Sequence, residues 1–232
     1  MIMWEMTHDK EERAMNELEK ILPFWSVLDQ ENRELIARSV MQQTHEKGTI
    51  IHRTEDGCKG LLTVLSGQLR VYILSEEGRE VTLYRVRRGE VCVLSASCLM
   101  DAITFDVFIE AMEETEVAVI PSMVLHEIME RHPQVELFLY KTAAEKFSDV
   151  MWTMQQILFL RIDQRAAQFL WDEMQEKGST ILYLTHDEIA KYIGSAREVV
   201  TKVMKYLSQE GTVELSRGKV HITDKEKLRS FL

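Results

Sequence analysis

The chain has 232 residues, of which 45% are hydrophobic and 28% are charged, and these proportions are ordinary for a globular protein. They exclude collagen-like, low-complexity and disordered classes. No run approaches the roughly 20 apolar residues of a membrane-spanning helix, and the charged N-terminus lacks the apolar core of a signal peptide. Three cysteines cannot build a disulfide framework, so we expect a protein of the reducing cytoplasm with no membrane partner.

The formal net charge of −10 is unevenly distributed along the chain. Residues 1–178 carry 19 basic and 31 acidic side chains, a net charge of −12, whereas residues 179–232 carry 9 and 7, a net charge of +2. An acidic protein is a poor nonspecific ligand for a polyanion. The basic last quarter is the exception, and it requires a functional explanation.

Short runs of alternating character between residues 46 and 121 predict antiparallel strands. Glycines recur there every 9 to 11 residues, which is the spacing of turns between short strands. The clearest hairpin pairs 70–74 with 80–84, and Gly78 supplies the positive φ that its loop needs. We expect a jelly-roll-like β-roll, whose interior is filled by side chains or holds one small ligand. The predicted strands are 49–52, 61–65, 68–74, 81–86, 90–94, 107–111 and 116–120.

A long helix is predicted to follow His132-Pro133, because proline is accepted in the first helical turn. Seven side chains recur there at alternating spacings of three and four residues, which is the a/d seam of a coiled coil. We expect a parallel homodimer along this seam; the alternative is a core helix of a monomer. The predicted dimer interface consists of Leu137, Tyr140, Ala144, Phe147, Met151, Met154 and Leu158.

The last quarter has the pattern of a helix-turn-helix with a wing. A helix over 162–177 and a short strand over 181–184 precede the capping box Thr185–Glu188, and the helix that follows stops at Gly194. Ser195–Glu198 has the form of a second capping box. It is expected to open a longer helix that runs to about residue 209.

A hairpin completes this region. The runs 212–215 and 219–222 flank Ser216-Arg217-Gly218, and we interpret them as the wing.

The second helix of this motif carries a polar face near its N-terminus, formed by Arg197, Thr201, Lys202 and Lys205. N-terminal residues of such a helix enter the major groove, where arginine matches the O6 and N7 acceptors of guanine. Glu198 either accepts a hydrogen bond from cytosine N4 or only caps the helix. The packing side is expected to comprise Val199, Val200, Val203, Met204 and Leu207.

Residues 184–202, LTHDEIAKYIGSAREVVTK, resemble the DNA-binding signature of the Crp/Fnr transcription regulators. The resemblance covers nearly the whole chain, because roll, dimer helix and winged helix-turn-helix occur in this order in that family. It implies an α+β fold with an effector-sensing antiparallel β-roll and flanking helices over 1–132, a dimerisation helix over 133–160 and a winged helix-turn-helix over 161–232. It also implies an inverted-repeat site in double-stranded DNA and RNA polymerase as partners.

By the same resemblance, Arg197, Glu198 and Lys202 match the positions that read bases, and Thr185 and Ser195 lie near phosphates. The full set of predicted DNA contacts is Thr185, Ser195, Arg197, Glu198, Thr201, Lys202, Lys205 and Arg217.

The effector site departs from the family pattern for cyclic AMP. Members that bind this nucleotide carry a Gly-Glu pair for the ribose and an Arg-Ser pair for the phosphate; here Val93-Leu94 and Phe105-Asp106 stand at those places. A buried phosphate without a cation would be strongly unfavourable. We therefore expect an uncharged or aromatic small molecule of unknown identity. Its predicted pocket is lined by Cys92, Leu94, Cys98, Phe105 and Phe108.

Other sensing chemistries remain as alternatives. No cysteine precedes Cys58, where an iron-sulfur cluster of this family would need several, so no such cluster is expected. Cys92 and Cys98 could form a dithiol switch or be inert buried thiols. Haem would need an axial ligand, for which no spacing signature exists. The candidates for that ligand are His52, Cys92, Cys98 and Met100.

Two further classes are less favoured. A cupin-like metal enzyme needs two histidines two residues apart, and none of the 7 histidines forms such a pair. The sequence also lacks a Walker A loop and a nucleophile elbow, so we expect no enzyme. A regulatory subunit without DNA binding would not need the basic last quarter. The expected function is a homodimeric, effector-gated transcription regulator.

Overall fold

The computed structural model describes residues 15–53, 59–99 and 107–232, without the side chains of Ser97 and Cys98. These residues form two compact units. The first contains the described residues up to Tyr72 together with Tyr84–Asp149, and the second contains Ile73–Leu83 and Val150–Leu232. Within the described ranges, no helix is long and apolar enough to cross a membrane.

Short helices precede the β-roll. Residues 15–21 form helix α1, Pro23–Val27 form a 3-10 helix, and Gln30–Ser39 form helix α2. The Asp29 carboxylate caps α2 by accepting a hydrogen bond from the backbone N–H of Asn32 at 2.8 Å.

The β-roll consists of two four-stranded antiparallel sheets, as the glycine-punctuated pattern predicted. Their orders are β1-β8-β3-β6 and β2-β7-β4-β5. Both sheets contribute fully buried aliphatic side chains, such as Leu62 and Val117 from one and Val71 and Ile109 from the other. The strands are β1 Met41–His45, β2 Ile50–Arg53, β3 Leu61–Ser66, β4 Gln68–Leu74, β5 Glu80–Arg87, β6 Val91–Cys92, β7 Phe108–Ala111 and β8 Thr115–Ile120.

Two strand predictions were wrong. The sequence pattern missed β1, an edge strand rich in polar residues whose hydrophobic alternation is weak. The predicted strand 90–94 ends at Cys92, and Val93–Leu99 form 3-10 turns instead. Ser95 stabilises this change of direction, because its hydroxyl donates to the Cys92 carbonyl and accepts from the backbone N–H of Leu62. The hairpin of β4 and β5 is confirmed, with φ of 79° at Gly78.

Helix α3, Ser122–Arg131, is followed by the predicted long helix α4, Pro133–Phe159. Its buried side chains are Val135, Leu139 and Thr142, whereas all seven predicted seam residues are exposed in the single chain. Phe147 and Leu158 are 62% and 67% exposed. An apolar seam therefore lies uncovered on α4.

The second unit contains the predicted helices and wing around a three-stranded sheet of order β10-β11-β9. Strand β9 is shorter than expected, since it ends before the cap of α6. The core of the second unit consists of buried aliphatic side chains, most of which lie on the helices over 162–177, 186–193 and 197–209. The elements are α5 Ile162–Lys177, β9 Ile181–Leu182, α6 His186–Ile193, α7 Arg197–Gln209, β10 Val213–Ser216, β11 Lys219–Ile222 and α8 Lys225–Arg229.

Candidate nucleic-acid interface

The first helix of the motif begins at the predicted capping box. The Thr185 hydroxyl accepts from the backbone N–H of Glu188 at 3.1 Å, and the Glu188 carboxylate accepts from the backbone N–H of Thr185 at 2.8 Å. Gly194 ends α6 with φ of 63°, a left-handed conformation that glycine adopts without strain. This geometry sets the turn that leads into α7.

The second predicted capping box was wrong. The N-cap of α7 is Ala196, whose side chain cannot accept a hydrogen bond, so the residue three positions into the helix is Val199 and not Glu198. Ser195 lies one position outside the helix and is half-buried. The Glu198 carboxylate is exposed, and no contact within the described ranges engages it. The interpretation of Glu198 as a helix cap therefore fails.

Helix α7 separates an apolar side from a polar one, with one correction. Val200, Val203, Met204 and Leu207 are buried as predicted. Val199 is 38% exposed, because it precedes Lys202 by three residues and so shares the polar side. Arg197, Lys202 and Lys205 are exposed, which leaves cationic side chains along the outer side of the helix.

His186 positions one of the predicted contacts. The Thr201 hydroxyl donates to the Arg197 carbonyl at 2.9 Å and lies 3.0 Å from Nδ1 of His186. A hydroxyl has one proton, so Nδ1 of His186 must be the donor to Thr201. Burial and the charges of Arg197 and Lys205 lower the pKa of His186, which favours the neutral ring. The composition of the motif did not indicate this link.

The wing carries the remaining predicted contact. Val213–Ser216 pair with Lys219–Ile222, and Arg217 is exposed at the turn between them. His186, which follows Thr185 in the chain, contacts Thr201 in the second turn of α7.

The β4–β5 hairpin contacts α6, which sequence reasoning missed. The Thr82 hydroxyl donates to the Lys191 carbonyl at 3.0 Å, and Nζ of Lys191 lies 3.4 Å from Oε1 of Glu80. A Cβ added at Gly194 would lie 3.4 Å from a methyl group of Val81. Hairpin and helix thus pack as parts of one compact unit.

The predicted effector pocket is only partly described. Cys92 and Leu94 are buried in the roll, whereas Phe105, Met100 and the side chain of Cys98 lie outside the described residues. Burial raises the pKa of the Cys92 thiol to about 11, and burial beside Cys92 raises the pKa of Tyr84 well above its ordinary value. Both groups are therefore protonated and uncharged at neutral pH.

Phe108 belongs to a different cluster. Its ring stacks on Tyr72 at 5.2 Å between centroids, and the Arg70 guanidinium lies 4.0 Å from the centre of the Tyr72 ring. Arg70 is fully buried and ion-paired with Glu110. Since side chains alternate along a strand, Phe108 and Glu110 lie on the opposite side of β7 from buried Ile109. Opposite charges on neighbouring strands are the signal that could have identified this pair.

A second cation near the roll is also neutralised. Nζ of Lys146 lies 3.3 Å from Asp149 Oδ2, 3.8 Å from Glu90 Oε2, and 5.3 Å from the Tyr84 ring centre. Across the described part of the chain, no cluster of three His, Cys, Asp or Glu side chains could hold a metal ion.

Comparisons with known proteins agree with this architecture. Residues 42–132 match the cyclic nucleotide-binding domain family, and residues 164–231 match the Crp-like helix-turn-helix domain family. The fold is similar to the crystal structure of a Crp/Fnr-family transcriptional regulator from Eubacterium rectale, with a TM-score of 0.87. The two sequences are 44% identical. The match covers 92% of this chain and 99% of that one.

Two further relatives have lower sequence identity. The transcriptional activator protein Anr of Pseudomonas aeruginosa is 28% identical over 190 residues, which cover 79% of this chain and 77% of the relative. The transcriptional regulator SdrP of Thermus thermophilus is 28% identical over 176 residues, with coverage of 72% and 81%.

Proposed function

This chain belongs to the Crp/Fnr family of transcription regulators, and we propose that it acts as a homodimer on an inverted-repeat DNA site. Residues 1–132 serve as the sensor, 133–160 as the dimerisation helix and 161–232 as the DNA-binding domain. The regulator acts in the cytoplasm, with RNA polymerase as a further partner.

One observation carries the DNA-binding role: the first turn of α7 presents side chains that its own fold does not use. The Arg197 guanidinium and the Glu198 carboxylate are exposed, and neither takes part in a hydrogen bond or an ion pair within the described residues. An arginine can contact guanine O6 and N7, and a glutamate can accept from cytosine N4. Lys202, Lys205 and Arg217 would contact bases or phosphates, while Thr185 and Ser195 would lie near phosphates.

Selection of genomic fragments with the purified protein tests this role. The expected result is an inverted repeat whose half-sites lie about one helical turn apart, because a twofold dimer presents two recognition helices. Affinity should fall steeply with salt, since each phosphate contact releases a counterion. Failure to enrich any palindrome, with and without cell extract, would refute the proposal.

The exposed seam of α4 supports the homodimer. Seven side chains at heptad spacing remain uncovered in one chain, and a second copy would bury them. Phe147→Glu places two charges in that seam and should weaken dimerisation by about 2 kcal/mol or more. Met123→Glu is the matched control, since Met123 is 83% exposed on α3. Analytical ultracentrifugation should find monomers for the first variant only; dimers of both variants would contradict the seam.

The effector is proposed to be a small uncharged or aromatic molecule in the β-roll. Arg70 and Lys146 are each paired with carboxylates, and Cys92 and Tyr84 are neutral. Neither cation is therefore available to a cyclic phosphate, and the protonated, buried Cys92 does not favour a dithiol switch. Native mass spectrometry of the dimer purified from cells should detect a retained uncharged molecule. A retained cyclic nucleotide or haem would overturn this assignment.

A further inference from the structure

His186, the first residue of α6, turns one ring nitrogen toward α7 and leaves the other accessible. Nδ1 lies 3.0 Å from the Thr201 hydroxyl, which itself donates to the Arg197 carbonyl at 2.9 Å. Nε2 is not buried, and no group of the described chain engages it. The ring is therefore held at one nitrogen, and the other can contact a bound molecule.

The contact with Thr201 determines which nitrogen carries the proton of the neutral ring. Because the Arg197 carbonyl accepts the single proton of the Thr201 hydroxyl, Nδ1 of His186 must donate to that hydroxyl. In the neutral imidazole Nε2 then has a lone pair and can only accept a hydrogen bond. In the imidazolium Nε2 also carries a hydrogen. Only the protonated ring can therefore donate a hydrogen bond outward.

The side chains of α7 that face this ring are cationic. Arg197 and Lys205 are both exposed, and their charges act on the imidazole of His186. Burial and these two charges lower the pKa of His186 below its ordinary value of 6.5, so the ring of the free protein is neutral at pH values above 6.5. An anion bound beside the three side chains would oppose this effect.

The other charged groups around α6 are placed differently. On the helix itself, the Glu188 carboxylate is engaged in the capping box, and Asp187 is exposed. Glu80 of the β4–β5 hairpin pairs with Lys191, and Arg165 of α5 donates to the last carbonyl of the helix. Both of these contacts lie more than one helical turn from the ring. Its protonation therefore depends mainly on burial, on the two cations of α7 and on any anion that binds beside them.

We propose that His186 contacts a DNA phosphate through Nε2–H and takes up a proton in order to do so. This inference rests on the proposed DNA-binding function, in which the preceding residue, Thr185, lies near a phosphate. The negative charge of the phosphate stabilises the imidazolium. Protonation and DNA binding are then linked, and each strengthens the other.

Fluorescence anisotropy on the selected inverted repeat, between about pH 8.5 and about pH 5.5, tests this linkage. The affinity of the dimer should rise by about tenfold or more as pH falls, because each of its two rings gains the charge that its phosphate contact requires. The slope of log affinity against log salt should be steeper at about pH 6 than at about pH 8, by about 0.9 for each added phosphate contact. Calorimetry in buffers of different ionisation enthalpy should detect proton uptake on binding.

Variants assign the linkage to His186. His186→Arg supplies a permanent cation, so it should bind at about pH 8 nearly as tightly as the unmodified chain does at about pH 6, with little pH dependence. His186→Gln cannot titrate and should lose the pH dependence at the lower affinity.

Thr201→Val tests the assignment of the proton. It removes the acceptor that keeps the proton on Nδ1, so the neutral ring can also carry its proton on Nε2, and the pH dependence should become smaller. His221→Gln is the matched control, because His221 lies on β11 beside Glu214. This variant should retain the full pH dependence.

Two results would overturn the proposal: a DNA affinity that does not change over this pH range, or a pH dependence that persists in both His186 variants. Genomic-fragment selection is run at about pH 6 and at about pH 8, so that a weak contact at the higher pH does not conceal DNA binding. Failure to enrich a palindrome at either pH would refute the proposed function itself. Enrichment with an affinity independent of pH would refute only the role of His186.

Discussion

The β-roll buries an arginine, whereas the recognition helix and wing of the winged helix-turn-helix expose their cations. Arg70 is fully buried in the roll with Glu110 as its partner, and Thr63 and Ser95 are also buried there. The core of the DNA-binding unit is formed by aliphatic and aromatic side chains, and its cations lie outside. A surface that binds a polyanion must expose its charges. The interior of a sensor can instead discriminate between ligands, because a buried cation that is already paired is not available to a charged ligand.

The difference predicts that the roll depends on pairing in its interior. Arg70→Met should lower the free energy of unfolding by about 3 to 5 kcal/mol, because it leaves the Glu110 carboxylate without its cation. Urea denaturation followed by circular dichroism measures this change.

The double variant Arg70→Met with Glu110→Leu is the control. Removal of both charges should recover much of the loss, since two apolar side chains replace a desolvated pair. A double variant as unstable as the single one would show that packing, and not charge, dominates at this position.

The exposed charges of the second unit should affect DNA affinity without affecting stability. Arg197→Ala should weaken specific binding by about 1 to 3 kcal/mol and relax specificity at one base pair, with dimerisation intact. Fluorescence anisotropy on the selected inverted repeat measures this loss. Arg229→Ala, which removes an exposed arginine of α8, should have little effect; equal losses in both variants would indicate a nonspecific charge effect.

The sequence pattern predicted that both Thr185 and Ser195 cap a helix, but only Thr185 does so in the structure. Thr185→Ala should lower the free energy of unfolding by about 1 kcal/mol, because it removes a true N-cap. Ser195→Ala should change it by less than about 0.5 kcal/mol, since Ser195 caps no helix. Chemical denaturation of the two variants compares them directly, and an equal loss would restore the second capping box.

The smallest effect concerns pH. The folded-state pKa of His186 is lower than its ordinary value of 6.5, so the unfolded chain binds more protons as the solution becomes acidic. The stability contributed by neutral His186 is fully present above that ordinary value and is lost as pH falls through the lowered folded-state pKa. His186→Gln should reduce the loss of stability between about pH 7.5 and about pH 5.5 in denaturant titrations. An unchanged pH dependence would contradict the role of His186.

Local signals account for what could be predicted about the fold and the site. The capping box at Thr185 and the left-handed glycine at Gly194 involve neighbours a few residues apart, so the sequence contains them directly. The heptad seam of α4 is also a spacing of three and four residues. The strand at Met41–His45 escaped because an exposed edge strand needs no hydrophobic alternation.

Sequence alone determined the order of roll, long helix and winged helix-turn-helix, because turn residues and hydrophobic periodicity act between near neighbours. Tertiary structure alone decided that Arg70 meets Glu110, that His186 contacts Thr201, and that Arg165 donates to the Ile193 carbonyl. Each of these depends on side chains that are distant along the chain. Their pairing follows from how complete elements pack, and no local pattern encodes that packing.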